Sequence, residues 1–578
     1  MNVSDAIVAY LNERFGIRHF YGYQGTMVAF FADAITRNPN VENHSCLNEQ
    51  GASLAACGTA QVSGTLAAAY STSGPGAVNL LQGVVNAYMD STPVVFITGQ
   101  ANTYEYAGVP ELRQQAFQEV DIVSMAAPVT KFAAQATDAE SAERLLVQAC
   151  EAAVSGRPGP VLIDLPMNVQ QLPCEPFAAP DAAASCAEAP EGAEEECVEA
   201  MIAALRQAKR PVLLLGSGAL SCPREELLAL VEELRIPVAT SLLARTALPI
   251  SHPLNVGYVG NAYGMRTANL IAGKKADLVL AVGTSMCPRQ VSAHFAQDAK
   301  VVRADLDPAV FYRHFGHDEE QFAADAQRVI AGLAEAVRSG RAGVEPFEEW
   351  AGAAGEIVRT LSAFDELDEM REPNRAIDRI SRLFPAPCTV AVDVGQHMMW
   401  SAQSMNLRDG QTLLFSGGHG AMGYALPAAI GAATQTGRTA VCLAGDGAFQ
   451  MNIQELQWVV RERLPLKIVV LNNHALGMIV NVQRSYIDNR RTGTDPQSGF
   501  SSPSFAEVAR AYGIRSMTFD RLDDFSGAAA AMADEEPLLV EIDFPEETFC
   551  YPKAHMGDEM WNQRPYLPAD EMQRLLEL

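Results

Sequence analysis

A chain of 578 residues exceeds what one hydrophobic core serves; at roughly 150 residues per domain it predicts three or four domains. Hydrophobic residues make up 48% and charged residues 19%, a balance that argues against a largely disordered chain. Acidic residues outnumber basic ones by 69 to 42, and the resulting net charge of −27 repels phosphate backbones, so nucleic acid is not an expected partner.

The N-terminus, Met1 to Phe20, mixes Asp5, Glu13 and Arg14 into an apolar pattern and lacks the basic lead and apolar run of a signal peptide. No stretch reaches the ~18 apolar residues that span a bilayer. The eleven cysteines are scattered and never form CxxC. That pattern argues against a disulfide framework or zinc site, and it favours a reducing cytoplasm with residues such as Cys442 acting as small buried hydrophobes.

Along the chain, a first block covers about 1–172. A stretch rich in Pro, Ala and Glu (173–195) follows and reads as a solvated linker. A second block covers 196–340, a weaker break with helical character covers 341–372, and a third block covers 373–548 before a tail at 549–578, a candidate lid. TPVVFITG (92–99), PVLLLGSG (211–218), ADLVLAVG (276–283), TAVCLAGDG (439–447) and LKIVVLNN (466–473) predict strands. Their nearly continuous apolar character suits parallel strands covered on both faces. Three doubly wound, Rossmann-like α/β domains are the expectation. The run AAAYSTSGPGAVNLLQGVVNAYMDSTPVVFITGQ in the first block and TAVCLAGDGAFQMNIQELQWVVRERLPLKIVVLNN in the third share one strand, Gly-rich turn, helix, strand order. This is either a duplication or the common look of any two such units.

The sharpest motif is Gly445-Asp446-Gly447 followed, 24 residues on, by Asn472-Asn473. Both elements end predicted neighbouring strands, so both open on the same sheet edge. Asp446, the Asn473 amide oxygen and a backbone carbonyl can there converge on one hard cation such as Mg2+, which commonly grips a diphosphate. Glycine turns and helix N-termini add amide donors for phosphates.

This pattern resembles the thiamin-diphosphate signature, and the chain as a whole is similar to the acetolactate synthase catalytic subunits. DVGQHMMW (393–400), SGGHGAMGYALPAAIGA (416–432), NEQGA (48–52), STSGPGAVNL (71–80), AFQE (116–119) and SGRPGPVLIDLP (155–166) carry the resemblance in family order. It implies three domains: pyrimidine-binding, flavin-binding-like and diphosphate-binding. It implies that Glu49 is the carboxylate that hydrogen-bonds the coenzyme's aminopyrimidine and sets its tautomer. Tyr23, Gln24 and Gly25 would cover the pyrimidine, with Pro75 and Asn79 packing beside it. Gly395, Gln396, His397 and Gly445 to Ala448 would surround the diphosphate. Gly420 and Met422 would form the wall that bends the coenzyme. Asp446, Asn473 and the Ala475 carbonyl would hold magnesium, in a loop continuing through Leu476, Gly477 and Met478, with His474 not required. The middle block implies FAD, without redox work, at Gly216, Ser217, Gly218, Ser241, Leu242, Gly283, Asp305 and Asp325, with Arg157 from the first block. Arg289 matches the arginine that holds the acceptor's carboxylate, a task suited to its planar fork, and Gln118 matches a side chain beside the reacting carbon.

The resemblance further implies pyruvate decarboxylation and carboligation to a second 2-ketoacid, giving 2-acetolactate. The active site would be built between subunits of a homodimer or homotetramer, with Glu49 from one chain facing Asp446 of another, and a small regulatory subunit is a known companion of such chains. Departures cluster near the acceptor: Gln24 and Thr26 in GYQGT, Asn48, Met167 in DLPMNV, Val482, Ser285, the Cys287-Pro288 pair and GNAYGM (260–265). GYQG, TGQANTYEY and RQQAFQE also resemble a divergent branch of synthase-like proteins found with surface-polysaccharide genes, which keeps a keto-sugar nucleotide acceptor open. A pyruvate oxidase or a simple decarboxylase are further alternatives; the latter often use adjacent histidines, which this sequence lacks. A non-catalytic binding relative would be expected to lack Glu49 or Asp446, and both are present.

Overall fold

A computed structural model describes residues 1–109, 111–178, 192–555 and 557–578. Three six-stranded sheets organise it, and every paired strand runs parallel to its neighbour. The first sheet comprises β1 (His19–Gly22), β2 (Glu42–Ser45), β3 (Ala67–Ser71), β4 (Val94–Gln100), β5 (Phe132–Gln135) and β6 (Val161–Pro166). The second comprises β7 (Pro211–Leu215), β8 (Val238–Thr240), β9 (Asn255–Tyr258), β10 (Leu278–Val282), β11 (Lys300–Asp305) and β12 (Asp318–Ala323). The third comprises β13 (Cys388–Val392), β14 (Gln411–Phe415), β15 (Ala440–Gly445), β16 (Leu466–Asn472), β17 (Arg515–Asp520) and β18 (Leu538–Asp543). The central strands are buried throughout, as β4, β7, β10, β15 and β16 show, which is why they read as unbroken apolar runs.

The orders are β2-β1-β3-β4-β6-β5, β12-β11-β10-β7-β8-β9 and β14-β13-β15-β16-β18-β17. Counted within each domain, the first and third sheets share one order, 2-1-3-4-6-5, which extends the similarity seen in sequence to whole domains. The middle sheet has the dinucleotide-fold order 3-2-1-4-5-6. Ligands of such sheets bind where the order reverses, at the carboxyl ends of two neighbouring strands. Those pairs are β1/β3, β7/β10 and β13/β15, and the Gly-rich turns of the sequence follow all six strands.

The first and third domains meet through two helices, Glu49–Ser63 and Ala425–Thr436. They pack backbone to backbone: a Cβ on Gly58 would lie 2.3 Å from the Ala428 carbonyl oxygen, and one on Gly431 would lie 2.0 Å from that of Ala55. Thr59 donates to the Gly431 carbonyl across the same contact. Alanines, tyrosines and Trp458 from both domains fill one shared core.

Most of the linker expected at 173–195 lies outside the described residues. The stretch expected at 341–372 carries the helix Glu348–Leu367, whose Trp350, Ile357 and Leu361 are buried against the middle sheet, so its apolar face makes it part of that domain's packing. The tail packs there as well. Met560, Leu567 and Leu575 join the same cluster, and buried Arg266 and Asn269 donate to the Gln563 and Met560 carbonyls. Among the described residues the cysteines are unpaired, and all but Cys174 and Cys287 are buried. No described helix is long and apolar enough to cross a membrane.

Candidate functional site

At the β13/β15 edge, the turn after β15 begins a short helix at Asp446, which is 3% exposed. Its Oδ1 accepts from the Gly447 amide at 2.8 Å, while its Oδ2 is buried without a partner. Burial lifts the carboxyl to about 6. After β16 the chain passes through His474 at φ 54°, a left-handed conformation unusual for a side-chain-bearing residue, and this brings Asn473 and Ala475 back towards Asp446. The Ala475 carbonyl accepts from the Gly477 amide at 2.8 Å. His474 itself is half-exposed and pairs with Asp543 at 2.7 Å.

Asn473 is held by a residue that the sequence did not single out. Its Nδ2 donates to Thr548 Oγ1 at 3.1 Å, and Thr548 Oγ1 in turn donates to Gln396 Oε1 at 2.6 Å. With the amide nitrogen used this way, Asn473 Oδ1 is the atom left for a cation. An orphaned carboxylate oxygen, an oriented amide oxygen and a carbonyl are the donor set that a hard divalent ion takes, so these residues fit magnesium.

His397 fills the turn after β13. Burial holds its imidazole neutral, near 3, and a hydrogen bond to the Asp393 backbone pulls the other way. Its Nε2 accepts from the Gly445 amide at 3.3 Å. A Cβ on Gly445 or Gly395 would enter that ring, at 2.7 and 2.6 Å. The glycines are there because the two turns touch through the histidine. Asp393 accepts from the Gly423 and Ala425 amides and so anchors the loop that carries Gly420 and Met422. Burial raises its carboxyl to about 6.

Gly395, Gln396, His397, Gly445, Asp446, Asn473 and Ala475 line a cavity of about 640 Å³ that also takes in Ser241, Leu242, Met422, Leu476, Gly477, Met478 and Arg289. Arg289 Nη1 donates to the Gly417 carbonyl at 3.0 Å, beside Gly420, and the exposed guanidinium faces the opening. Asp90 enters from the first domain, where its oxygens accept from the Gly417 and Gly418 amides. Burial raises it to about 7, against those two hydrogen bonds and the charges of Arg289 and Arg157. Ser285, Cys287, Pro288 and residues 260–264 line this cavity too, whereas Met167 and Val482 do not.

A second cavity, about 1130 Å³, adjoins the first through Arg157, Ser217 and Ser285 and holds Gly218, Gly283, Asp305 and Asp325. The turns after β7 and β10 meet so closely that a Cβ on Gly216 would lie 1.9 Å from the Gly283 carbonyl oxygen. Arg157 bridges Ser91 and Asp307, and Asp325 caps the helix Ala326–Arg338. A cavity of this size beside the β7/β10 reversal, lined by its glycine turns, fits a dinucleotide such as FAD.

Glu49 lies elsewhere. It begins the Glu49–Ser63 helix behind the Asn48 cap, is 8% exposed, and accepts from Asn79 Nδ2 at 3.0 Å. Pro75 starts the helix that carries Asn79. Tyr23, Gln24 and Gly25 follow β1, with Gly25 against Thr72. Gln118, in a left-handed conformation, backs onto Gly74 of the same edge. None of these lines the cavity of Asp446. The structure therefore gathers the expected residues into two sets, and within one chain it does not join them. Glu455, also unforeseen, accepts from the Leu47 amide below Glu49 across 408 residues of sequence.

Family models for the N-terminal, central and C-terminal domains of thiamine pyrophosphate enzymes match residues 1–125, 198–333 and 393–542. The chain belongs to the thiamine pyrophosphate enzyme family. Within it, the chain is 33% identical to acetolactate synthase 1, chloroplastic, of Zea mays, covering 94% of this chain and 86% of that protein. It is 32% identical to the acetolactate synthase large subunit of Corynebacterium glutamicum (95% and 89%) and 32% identical to acetolactate synthase isozyme 2 large subunit of Escherichia coli (94% and 95%). As a family member it takes thiamin diphosphate, and the two sets of residues lie on the two thiamine pyrophosphate binding domains that the models define.

Proposed function

We propose that this chain decarboxylates pyruvate and joins the remaining two-carbon unit to a second 2-ketoacid, releasing 2-acetolactate. The observation that carries the reading is that Arg289 lines the same cavity as Asp446, whose buried Oδ2 has no partner. Thiamin diphosphate supplies, when bound, the electron sink that loss of carbon dioxide from a 2-ketoacid requires. The protein's tasks are then to bind, to orient and to manage protons. Asp446, Asn473 and the Ala475 carbonyl would hold Mg2+, and the amides from Gly445 to Ala448 would face the diphosphate. Met422 would support the bent coenzyme. Glu49 would hold a proton on the aminopyrimidine, and Arg289 would pair with the acceptor carboxylate through two hydrogen bonds. FAD would lie in the second cavity as a structural group.

The separation of Glu49 from Asp446 supports a site shared between two copies of this chain. Around Glu49 the surface exposes Tyr23, Val78 and Phe117, and beyond Asp446 it exposes Met451, Ile479 and Val482. An interface between copies would cover these apolar side chains. Purified chain with thiamin diphosphate and Mg2+ is expected to convert pyruvate to acetolactate; pyruvate left unconsumed under those conditions would overturn the reading.

The second reading, transfer to a keto-sugar nucleotide, draws on Ser285, Cys287, Pro288 and residues 260–264. Every one of these departures lines the cavity beside Arg289. Competition between pyruvate and a 4-keto sugar nucleotide as acceptors separates the two.

A further inference from the structure

Outside both cavities, the edge of the first sheet assembles a second group of ligand-type side chains. β1 and β2 pair in parallel with His19 opposite Glu42 and Tyr21 opposite His44. Because strand side chains alternate, His19, Glu42 and His44 share one face. His19 Nδ1 lies 3.0 Å from His44 Nε2, and Glu42 Oε2 lies 3.7 Å from the first nitrogen and 3.6 Å from the second. A triangle with these sides has a circumradius of about 2.0 Å, so a single point sits at the zinc–nitrogen and zinc–oxygen bond length from all three atoms. The other nitrogen of His44, Nδ1, lies 2.8 Å from Glu462 Oε2, at the end of the helix Leu456–Glu462 in the third domain. That contact places the ring proton on Nδ1 and leaves the Nε2 lone pair available, facing His19 Nδ1. Metal-bound histidines are typically oriented by a carboxylate in this way. Tyr21 stacks on the ring of His44 and fixes its plane. Burial, then the neighbouring His44, hold His19 towards its neutral, ligating form.

We propose that His19, His44 and Glu42 form a binding site for a divalent transition metal of the zinc type, oriented by Glu462. At that point the ion lies in the plane of its three ligand atoms; a small shift of the exposed Glu42 carboxylate lifts it out of that plane and opens a fourth position for water, as a tetrahedral ion requires. The ion replaces the hydrogen bond shared by the two imidazoles, and neutral His19 keeps its one ring proton by moving it from Nδ1 to Nε2. It joins the edge strand of the first sheet to the third domain through Glu462, and that strand ends four residues before Glu49. The role is a clamp, not a catalytic one, since no cavity described above includes these residues.

The test uses the full chain, stripped with chelator and kept in excess Mg2+, titrated with Co2+. One equivalent is expected to give the intense visible bands of a four-coordinate site, and Zn2+ is expected to displace it. His19→Asn should abolish the bands, Asp446→Asn should retain them, and Glu462→Gln should weaken binding by roughly 10–100-fold. Zn2+ should raise the Tm of the parent chain and leave that of His19→Asn unchanged. His44 is buried, so the exposed Glu42→Gln serves as the second ligand variant, expected to weaken Co2+ binding. The proposal falls if no such bands arise, if Asp446→Asn removes them, or if His19→Asn lowers Tm equally with and without Zn2+, which is the mark of a plain imidazole–imidazole hydrogen bond.

Discussion

A buried carboxylate oxygen without a hydrogen bond is costly, and Asp446 Oδ2 is one. Its setting makes the cost intelligible, since a cation at that point would satisfy the oxygen together with Asn473 Oδ1. Thr548 is the neighbour that decides whether Asn473 offers oxygen or nitrogen. Thr548→Val is therefore expected to weaken Mg2+ binding by roughly 10–100-fold, and Thr548→Ser to restore it. A calorimetric titration with Mg2+ checks both, and equal affinities for parent and valine variant would remove Thr548 from the site. Glu49→Gln keeps shape and a hydrogen bond to Asn79 but removes the acid. Turnover of pyruvate should fall by at least about 100-fold with thiamin diphosphate binding largely kept, as steady-state kinetics beside a binding titration would show.

At the scale of elements, the Glu49–Ser63 helix delivers Glu49 only if it can lie flat against the Ala425–Thr436 helix. Gly58 permits this, and a methyl there would meet the Ala428 backbone, which cannot retreat as a side-chain tip can. Gly58→Ala should cost about 1–3 kcal/mol, read from denaturant unfolding, and an unchanged midpoint would contradict the contact. Glu455 braces the N-terminal end of the same helix from the third domain. Burial raises it from an ordinary 4.5 to about 7, with the Leu47 amide opposing. The native state thus keeps a proton that the unfolded chain releases earlier. The stability this contributes is complete below pH 4.5, declines as pH rises towards about 7, and is flat beyond. Glu455→Gln has no such titration, so the Tm of the parent relative to the variant should fall between pH 5 and 7. A parallel pair of Tm profiles would show that Glu455 ionises normally.

For the whole molecule, the question is how two half-sites become one. If Glu49 of one copy completes the Asp446 site of another, Glu49→Gln and Asp446→Asn should each be inactive alone. Mixed in equal amounts and allowed to exchange, they should recover roughly a quarter of the parental activity, because half the dimers are mixed and each mixed dimer has one intact site. Recovery of nothing, with exchange verified by sedimentation and mass, would require both halves to come from a single chain.

The amino-acid sequence by itself determined the three α/β domains and the turn that we propose holds the metal. Buried parallel strands must be apolar on both faces, and turns that approach a ligand or each other must be glycine, so both leave local marks. The shared strand order of the first and third domains was hinted at by one repeated strand–turn–helix–strand run. Thr548, Asp90, Glu455 and the pairing of His19 with Glu42 and His44 left no such mark. Each acts on a partner brought near by sheet register or domain packing, 408 residues away in the case of Glu455 and Leu47. Only the tertiary structure could decide these contacts, because a hydrogen bond or an ion site depends on where atoms meet in space, and spacing along a chain constrains that only within one turn or one strand pair.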